Sequence, residues 1–321
     1  MIKGSLSKLK AVVQDNYHIF ICSSSFEDRC LSLPKRINKY CFEKVVVIEN
    51  KNGSDRIKKK TEELKSMFHD ADIWSIDFGN PIVLLDRITN EIAIGLGRKR
   101  LRVLVDVSTF SHEILIMVLD SLYKKKNIEK IDCIYLNAED YCPNVNVKQK
   151  WLSKGSQEIH TVFGFPGNLS PSKKDRIIMI VGYEYERAIE IIRSYEPNYI
   201  TLVYGEPSDS TTIKNKEANQ FYTELIREMM FDFPETSIET KSISCNDPDT
   251  ASVQLGEIIS THPDDNCIIV PMNNKLSTIG VLKAAMNNEN IQICYAPALI
   301  YNEANYSIPG KNCYLYSFKE N

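Results

Sequence analysis

The stretch His18–Cys22, with the sequence His-Ile-Phe-Ile-Cys, is a short apolar run that ends in the three serines Ser23–Ser25. A comparable run in the second half of the chain, Ile177–Val181, ends in Gly182. Each run is followed by acidic residues, an arginine and then a segment with apolar residues at helical spacing. The same order of strand, polar turn and helix therefore occurs twice, and such a repeat indicates the architecture before any motif is considered.

A second pair of segments supports the repeat. Residues Ile131–Tyr141 align without a gap on Ile291–Tyr301, and Ile, Tyr, Ala and Tyr coincide at four aligned positions. We therefore predict an α/β protein of two tandem Rossmann-like domains that are related by internal duplication. Each domain is expected to contain a mainly parallel sheet flanked by helices, because strands such as Val45–Ile48 are apolar throughout and must be buried on both faces.

The predicted elements alternate along both halves. The predicted strands are His18–Ser23, Lys44–Glu49, Asp72–Phe78, Arg102–Val107, Ile131–Asn137, Arg176–Val181, Tyr199–Tyr204, Ser237–Ser242, Cys267–Pro271 and Ile291–Ala296, with Asn312–Phe318 as an added edge strand. The predicted helices are Glu27–Tyr40, Asp55–His69, Pro81–Gly95, Ser111–Lys124, Glu186–Ser194, Asn215–Phe231, Asp249–Thr261 and Leu276–Met286.

The domain boundary is expected where turn-forming residues concentrate. Residues 140–175 are rich in Pro, Gly, Asn, Ser and Lys, which favours a connecting segment. We predict an N-terminal domain over residues 1–145, a connector over 146–175 and a C-terminal domain over 176–321.

Composition narrows the classes of function. The net charge of the 321 residues is −3, which argues against a surface that binds duplex nucleic acid. The apolar runs are too short to cross a bilayer, and the N-terminus does not resemble a secretory signal. Nine cysteines without a CxxC pair indicate a reducing cytoplasm, and the scattered histidines argue against a metal site. No G-x-G-x-x-G or Walker A motif is present, so we expect no cofactor.

Ligands of open parallel sheets bind beyond the carboxyl ends of the strands, near the point where strand order reverses. This rule selects polar residues that follow the first, second and fourth strands of each half. The candidate ligand-binding residues are Ser23, Ser24, Ser25, Glu27, Arg29, Asp106, Ser108, Thr109, Gly182, Glu184, Glu186, Arg187, Glu206, Asn273, Asn274 and Lys275. Asp106 and His112 are the candidates for catalysis.

Each group of candidates also has a structural interpretation. The serine run could hold an anion or a ribose, or one serine could cap the following helix. In the pairs Glu27 with Arg29 and Glu186 with Arg187, the arginine could clamp a phosphate that the acid orients. Alternatively, the acid interacts with the helix dipole and the arginine pairs with it across the lobe boundary.

The segment Asp106-Val107-Ser108-Thr109-Phe110-Ser111-His112 resembles the CARF and SAVED sensor families. In these families a Rossmann-like fourth strand is followed by an acid or amide, a Ser or Thr, and a basic residue. Asp106 and Ser108 match this pattern, whereas His112 departs from the usual Lys or Arg. The SAVED arrangement, with two CARF-like units in one chain, matches the repeat over nearly the whole length.

The resemblance implies a cytoplasmic sensor or regulator in bacterial defence signalling that binds a nucleotide-derived ligand in the cleft between two lobes. An enzyme that cleaves or modifies a nucleotide or nucleoside, in the manner of a ring nuclease, is the first alternative. A scaffold that binds a protein partner of a defence complex is the second, and it is suggested by Trp151 and Phe165 in the connector.

Overall fold

The computed structural model describes residues 1–5, 17–37, 42–68, 70–94, 100–206, 213–229 and 236–320. Contacts between residues divide the chain into two compact units. Unit 1 contains Met1–Asp140 together with Ser307–Asn321, and unit 2 contains Tyr141–Tyr306.

The strands within the described residues are β1 (Ile2–Ser5), β2 (Ile19–Ser23), β3 (Lys44–Asn50), β4 (Asp72–Ile76), β5 (Leu101–Asp106), β6 (Ile128–Tyr141), β7 (Ser153–Ser156), β8 (His160–Pro166), β9 (Lys174–Ile180), β10 (Tyr199–Gly205), β11 (Ser237–Ile243), β12 (Asp265–Pro271), β13 (Ile291–Tyr295), β14 (Ala298–Tyr301) and β15 (Ser307–Glu320). The α-helices are α1 (Asp55–Met67), α2 (Val83–Arg87), α3 (His112–Tyr123), α4 (Tyr185–Tyr195), α5 (Ile213–Met229), α6 (Pro248–Ser260) and α7 (Lys275–Met286). Shorter helical segments are the 3₁₀ helices Asp28–Leu31, Val147–Gln149 and Glu303–Asn305 and the π-helical segment Ile88–Ile94.

The described part of unit 1 forms one sheet with the strand order β1-β15-β6-β5-β2-β3-β4. Strands β2 to β6 are parallel to one another, whereas β1 pairs antiparallel with β15. Every residue of β2 is buried, as expected for an apolar strand at the centre of a sheet that is covered on both faces. Helix α3 is also buried along nearly all of its length, because it carries apolar residues on every side.

The described part of unit 2 forms a sheet with the order β11-β10-β9-β12-β13-β8 and a separate ribbon of β14 and β7. Strands β9 to β13 are parallel, and β8 adds an antiparallel edge to β13. Strand β9 is buried from Arg176 to Ile180, where its side chains join a core with those of β10 and α4.

The parallel strands of the two units follow the same order. Numbered along the chain within each unit, the described parallel strands lie in the order third, second, first, fourth, fifth. The strand order therefore reverses between the first and fourth strands, which are β2 and β5 in unit 1 and β9 and β12 in unit 2. The prediction of two Rossmann-like α/β lobes is confirmed. The shared order is what internal duplication predicts, and duplication as its origin stays a prediction.

The predicted helix over Glu27–Tyr40 is wrong in its described part. The chain forms only the 3₁₀ helix Asp28–Leu31 and then turns, and residues 38–41 lie outside the described residues. Pro34 lacks a backbone N–H and disfavours the α conformation at Leu33, so apolar spacing alone could not make this segment helical.

The C-terminal strand differs from its predicted place. Strand β15 lies between β1 and β6, whereas the sequence predicted an edge strand within a C-terminal domain of residues 176–321. The predicted connector, residues 146–175, contains β7 and β8, and β8 pairs with β13 of unit 2. Period and composition identify a strand but do not determine which distant strand it pairs with, so these placements depend on long-range packing.

The eight described cysteines are buried and form no disulfide. Among the helices of the described ranges, none combines the length and the apolar character that crossing a membrane requires.

Candidate functional site

The first candidate region is the carboxyl end of β2 in unit 1, where the three serines follow. Ser23 donates its hydroxyl to Ile48 O at 3.2 Å, and Ser25 Oγ accepts the backbone N–H of Glu27 at 3.2 Å. Ser24 Oγ is also buried but has no hydrogen-bond partner within the described part of the chain. Two of the serines therefore have structural roles, and Ser24 keeps an unused polar atom at the strand end.

Glu27 and Arg29 form a buried ion pair directly after these serines. Arg29 donates through Nε and Nη2 to Glu27 at 2.8–2.9 Å, and its Nη1 donates to Leu136 O at 3.1 Å. The hydroxyl of Ser307, from β15, donates to the same carboxylate. The guanidinium group is thus held by the protein itself, within unit 1 and not across a lobe boundary as the structural interpretation predicted.

Asp106 ends β5 directly opposite Cys22 of β2. Its Oδ1 accepts from Ser108 N at 3.0 Å and from Ser108 Oγ at 2.5 Å, and Ser108 Oγ accepts from Leu136 N at 2.9 Å. Burial raises the pKa of Asp106 to about 6, although the Ser108 hydrogen bonds and the Arg29 charge act to lower it. Through Ser108, Asp106 therefore links the end of β5 to Leu136 within β6.

The loop after β5 approaches the serine run and then enters α3. Thr109 donates its hydroxyl to Ser23 O at 3.1 Å, so this side chain connects the first and fourth parallel strands. Ser111 caps α3 by accepting from Ile114 N, and His112 is the first residue of that helix. His112 is buried.

In unit 2 the equivalent strand ends touch through their backbones. A Cβ atom added to Gly182 would lie 2.0 Å from Met272 O, which no real side chain could tolerate. Asn273 donates its Nδ2 to Val181 O at 2.6 Å and so joins the ends of β9 and β12. Gly182 is therefore required for close packing at this position.

Glu184 and Arg187 form the buried ion pair of unit 2. Arg187 Nη1 donates to Glu184 Oε2 at 2.9 Å, and the hydroxyl of Ser153, from β7, donates to Glu184 Oε1 at 2.5 Å. The pairing of Arg187 with Glu186, expected from their adjacency, is wrong because α4 carries these neighbours in different directions. Burial acts to lower the pKa of Arg187, but the Glu184 charge together with Tyr295, Tyr301 and Tyr306 raises it overall.

The other predicted residues of unit 2 lie near these strand ends but mainly hold the chain together. Asn274 caps α7 by accepting from Ser277 N at 2.9 Å, and its Nδ2 donates to Cys245 O at 2.7 Å. Glu206 accepts from Gln254 Nε2 at 2.6 Å. Lys275 is the partly exposed first residue of α7 and places a cation at this edge of the sheet.

Sequence reasoning missed Ser153 and Ser307, the serines that complete the two Ser–Glu–Arg groups. Both lie on strands far along the chain from their glutamates, and no local pattern marks either of them. Among the described residues, no three His, Cys, Asp or Glu side chains come together in a way that could hold a metal ion.

Comparisons with known proteins give few matches by sequence and several by structure. A family model described as "HFX_2341_N:-like, N-terminal" matches residues 177–301, and no curated protein matches the sequence significantly. Twenty-four chains of solved structures match. One is a Type III CRISPR defence DNA nuclease activated by cyclic oligoadenylate, with a TM-score of 0.51 and 7% sequence identity.

The match to that nuclease covers 83% of this chain and 63% of the nuclease chain, so the protein spans less than two thirds of its structural neighbour's length. At this level of identity the likeness concerns the fold. The chain is thus similar, in its α/β architecture, to a solved nuclease of CRISPR defence.

Proposed function

We propose that this protein is a sensor or regulator that binds a nucleotide-derived ligand at the carboxyl edges of its parallel sheets. The observation that carries the proposal is the arrangement repeated in both units. In each unit, the loop after the first parallel strand carries a glutamate that is held by a buried arginine and by a serine from a distant strand. The loops are thereby fixed where Rossmann-like sheets bind their ligands.

The contacts assign different roles to the predicted site residues. Arg29 and Arg187 are each paired with a buried glutamate, Arg187 through Nη1 alone, so we assign them to positioning of the loops. Ser24 has a buried hydroxyl without a hydrogen-bond partner among the described residues, and Lys275 is a partly exposed cation at the start of α7. These two residues are the ones that we expect to contact hydroxyl or phosphate groups of the ligand.

A cyclic oligonucleotide is the ligand class that we favour. The nuclease with the similar fold is activated by cyclic oligoadenylate, and the segment Asp106–His112 follows the carboxyl end of β5, the kind of position where open parallel sheets bind ligands. A role in bacterial defence signalling follows from this ligand class and forms part of the proposal.

Isothermal titration calorimetry tests the proposal directly. Cyclic di-, tri-, tetra- and hexa-adenylates, other cyclic dinucleotides and linear mononucleotides are titrated into the full chain. We expect saturable binding of at least one cyclic compound. Lys275→Gln is expected to weaken it about tenfold or more, as loss of a charged hydrogen bond does. The absence of heat with every compound would contradict the proposal.

A matched control lies on the same helix as Lys275. Lys283 occupies the last turn of α7 and pairs with Asp249 near the surface, so Lys283→Gln removes an equal charge without touching the strand ends. Binding should survive this substitution. Equal losses in the two variants would mean that overall charge, and not the strand end, attracts the ligand.

A nucleotide-processing enzyme is the second candidate, and the pKa of Asp106 favours it. A carboxyl group with a pKa of about 6 can exchange a proton near neutral pH. Incubation with the same compounds and chromatography would reveal a cleaved or modified product. Loss of that product in Asp106→Asn, with folding retained, would support catalysis, whereas unchanged turnover would remove Asp106 from it.

A further inference from the structure

A polar cavity lies in unit 1 at the amino ends of β5 and β6, the edge of the sheet opposite the strand ends described above. Its volume is about 610 Å³, within the range of about 300–1,000 Å³ that small-molecule sites occupy. Arg102 of β5, Lys130 and Asp132 of β6, and Tyr17 ahead of β2 line it. The cavity shares no residue with the site assigned to the nucleotide ligand.

Arg102 differs from the other arginines that are buried or partly buried in the described residues, because it lacks a carboxylate partner. Arg29, Arg176 and Arg187 each have a carboxylate partner within hydrogen-bond distance. In the described residues Arg102 has no such partner, and its Nε is buried without a hydrogen bond. A partly buried guanidinium without a counter-charge is unfavourable, and an anionic ligand would relieve this cost.

Asp132 also has a buried polar atom without a partner among the described residues, in this case an acceptor. It is 3% exposed, and its Oδ2 accepts from the Tyr17 hydroxyl and lies 3.4 Å from Lys130 Nζ. Its Oδ1 is buried, and no donor in the described part of the chain reaches it. The wall of one cavity therefore holds a carboxylate with one oxygen, Asp132 Oδ1, that lacks a donor, and a guanidinium with one nitrogen, Arg102 Nε, that lacks an acceptor.

The remaining charges of the cavity compensate one another. Arg100 lies 3.8 Å from Glu129, and Lys130 lies between Asp132 and Glu320. The Asp132 carboxylate would repel a ligand that carries only negative charge, and the Arg102 guanidinium would repel one that carries only positive charge. A molecule that carries both an anionic group and an N–H donor satisfies both side chains.

We propose that this cavity binds a small zwitterion of the amino-acid type. Its carboxylate accepts from the Arg102 guanidinium, and its ammonium group donates to the Asp132 carboxylate. Both contacts are charge-assisted hydrogen bonds, which are stronger than neutral ones. The site is independent of the nucleotide site, so failure of one proposal leaves the other standing.

Thermal unfolding of the full chain with each standard amino acid at millimolar concentration tests this site. At ten times its Kd, a ligand of the native state is expected to raise the Tm by about 3–6 °C. Acetate and inorganic phosphate, which lack the ammonium group, should give a smaller shift. The response should be lost in Arg102→Gln and in Asp132→Asn. It should persist in Arg100→Gln, because that arginine is largely exposed and already pairs with Glu129.

Three results would overturn the proposal: no shift with any amino acid, an unchanged response in Arg102→Gln, or an equal shift with phosphate alone. The Tm of the ligand-free variant is a second measurement. Because the removal of Arg102 leaves no carboxylate among the described residues without its partner, Arg102→Gln should leave that Tm unchanged or raise it. A clear fall would assign Arg102 to stability and contradict the site.

Discussion

The ends of the first and fourth parallel strands differ between the two units, although the strand order is the same. In unit 1, Cys22 lies opposite Asp106, and serine and threonine hydroxyls surround the strand ends. In unit 2, Ile180 lies opposite Pro271, and Gly182 packs against a backbone carbonyl. One topology therefore ends its first and fourth strands in a carboxylate and hydroxyl groups in unit 1 and in a close backbone contact in unit 2.

The loops into the following helices explain part of this difference. Four residues separate Asp106 from Ser111, the cap of α3, whereas two separate Pro271 from Asn274, the cap of α7. The longer loop lets Ser108 and Thr109 fold back onto the strand ends of unit 1. The shorter loop brings Met272 directly against Gly182. Loop length thus changes the chemistry of the site while the sheet is preserved.

The largest expected effect concerns the feature that the units share, the buried ion pair. Replacing Arg29 with Met leaves Glu27 buried without its guanidinium, and Arg187→Met does the same to Glu184. Each change should lower the free energy of unfolding by about 3–5 kcal/mol, as measured by urea denaturation. Arg227→Met removes an exposed partner of Glu224 and should cost less than about 1 kcal/mol. A small loss in only one unit would show that the pairs are not equivalent.

The next effect is the pH dependence of the free energy of unfolding, which distinguishes Asp106 of unit 1 from the equivalent strand end of unit 2. The pKa of Asp106 is raised to about 6 from the model-peptide value of 3.8, so the native state binds its proton more tightly than the unfolded state does. This stabilisation is complete below about pH 4 and is lost as the pH rises to about 6. The loss is on the order of 3 kcal/mol at about 1.4 kcal/mol per pKa unit. Asp106→Asn, which can still accept from Ser108, should remove this dependence when unfolding is measured between pH 4 and 8. An unchanged profile would exclude Asp106 as its source.

Gly182→Ala tests the closed strand end of unit 2. The added methyl group would collide with Met272 O, and we expect a loss of about 2–3 kcal/mol in urea denaturation. Gly256→Ala is the matched control, because nothing lies within 4 Å of its Cβ position in α6. That change should raise the free energy of unfolding by about 0.5–1 kcal/mol through helix propensity. Tolerance of Gly182→Ala would mean that β9 and β12 are less tightly joined.

The smallest effect compares two serines of unit 1. Ser23→Ala removes a hydroxyl that bonds to Ile48 O and should cost about 1 kcal/mol. Ser24→Ala removes a buried hydroxyl without a partner among the described residues, so stability should be unchanged or slightly higher. Thermal unfolding of both variants distinguishes them. An equal loss in Ser24→Ala would mean that its hydroxyl already serves the fold.

The strands were the most predictable part of the fold. Runs such as Val45–Ile48 are short, β-branched and apolar without interruption, which is typical of a strand that is buried on both faces. The predicted helix at Glu27 failed because a single proline and a buried ion pair outweigh apolar spacing. Strand β1 was missed because its polar residues carry little of the strand pattern, and its pairing with β15 defines it.

The sequence predicted where in the fold the candidate residues lie better than it predicted which residues they contact. The rule of the carboxyl edge placed Ser23–Ser25, Asp106 and Gly182 at the strand ends where the structure has them. Their partners were not predictable. Ser307 reaches Glu27 across 280 positions of sequence, and no spacing rule extends over that distance.

The sequence by itself determined the alternation of strands and helices in two similar halves, because the period and length of apolar runs depend only on neighbouring residues. Only the tertiary structure decided that the last strand returns to the first unit and that serines from distant strands hold the glutamates. It also decided that Arg102 lines a cavity without a carboxylate partner of its own among the described residues. The physical reason is that these outcomes depend on which surfaces meet when the chain folds, and the free energy of such contacts is shared between segments that carry no local record of each other.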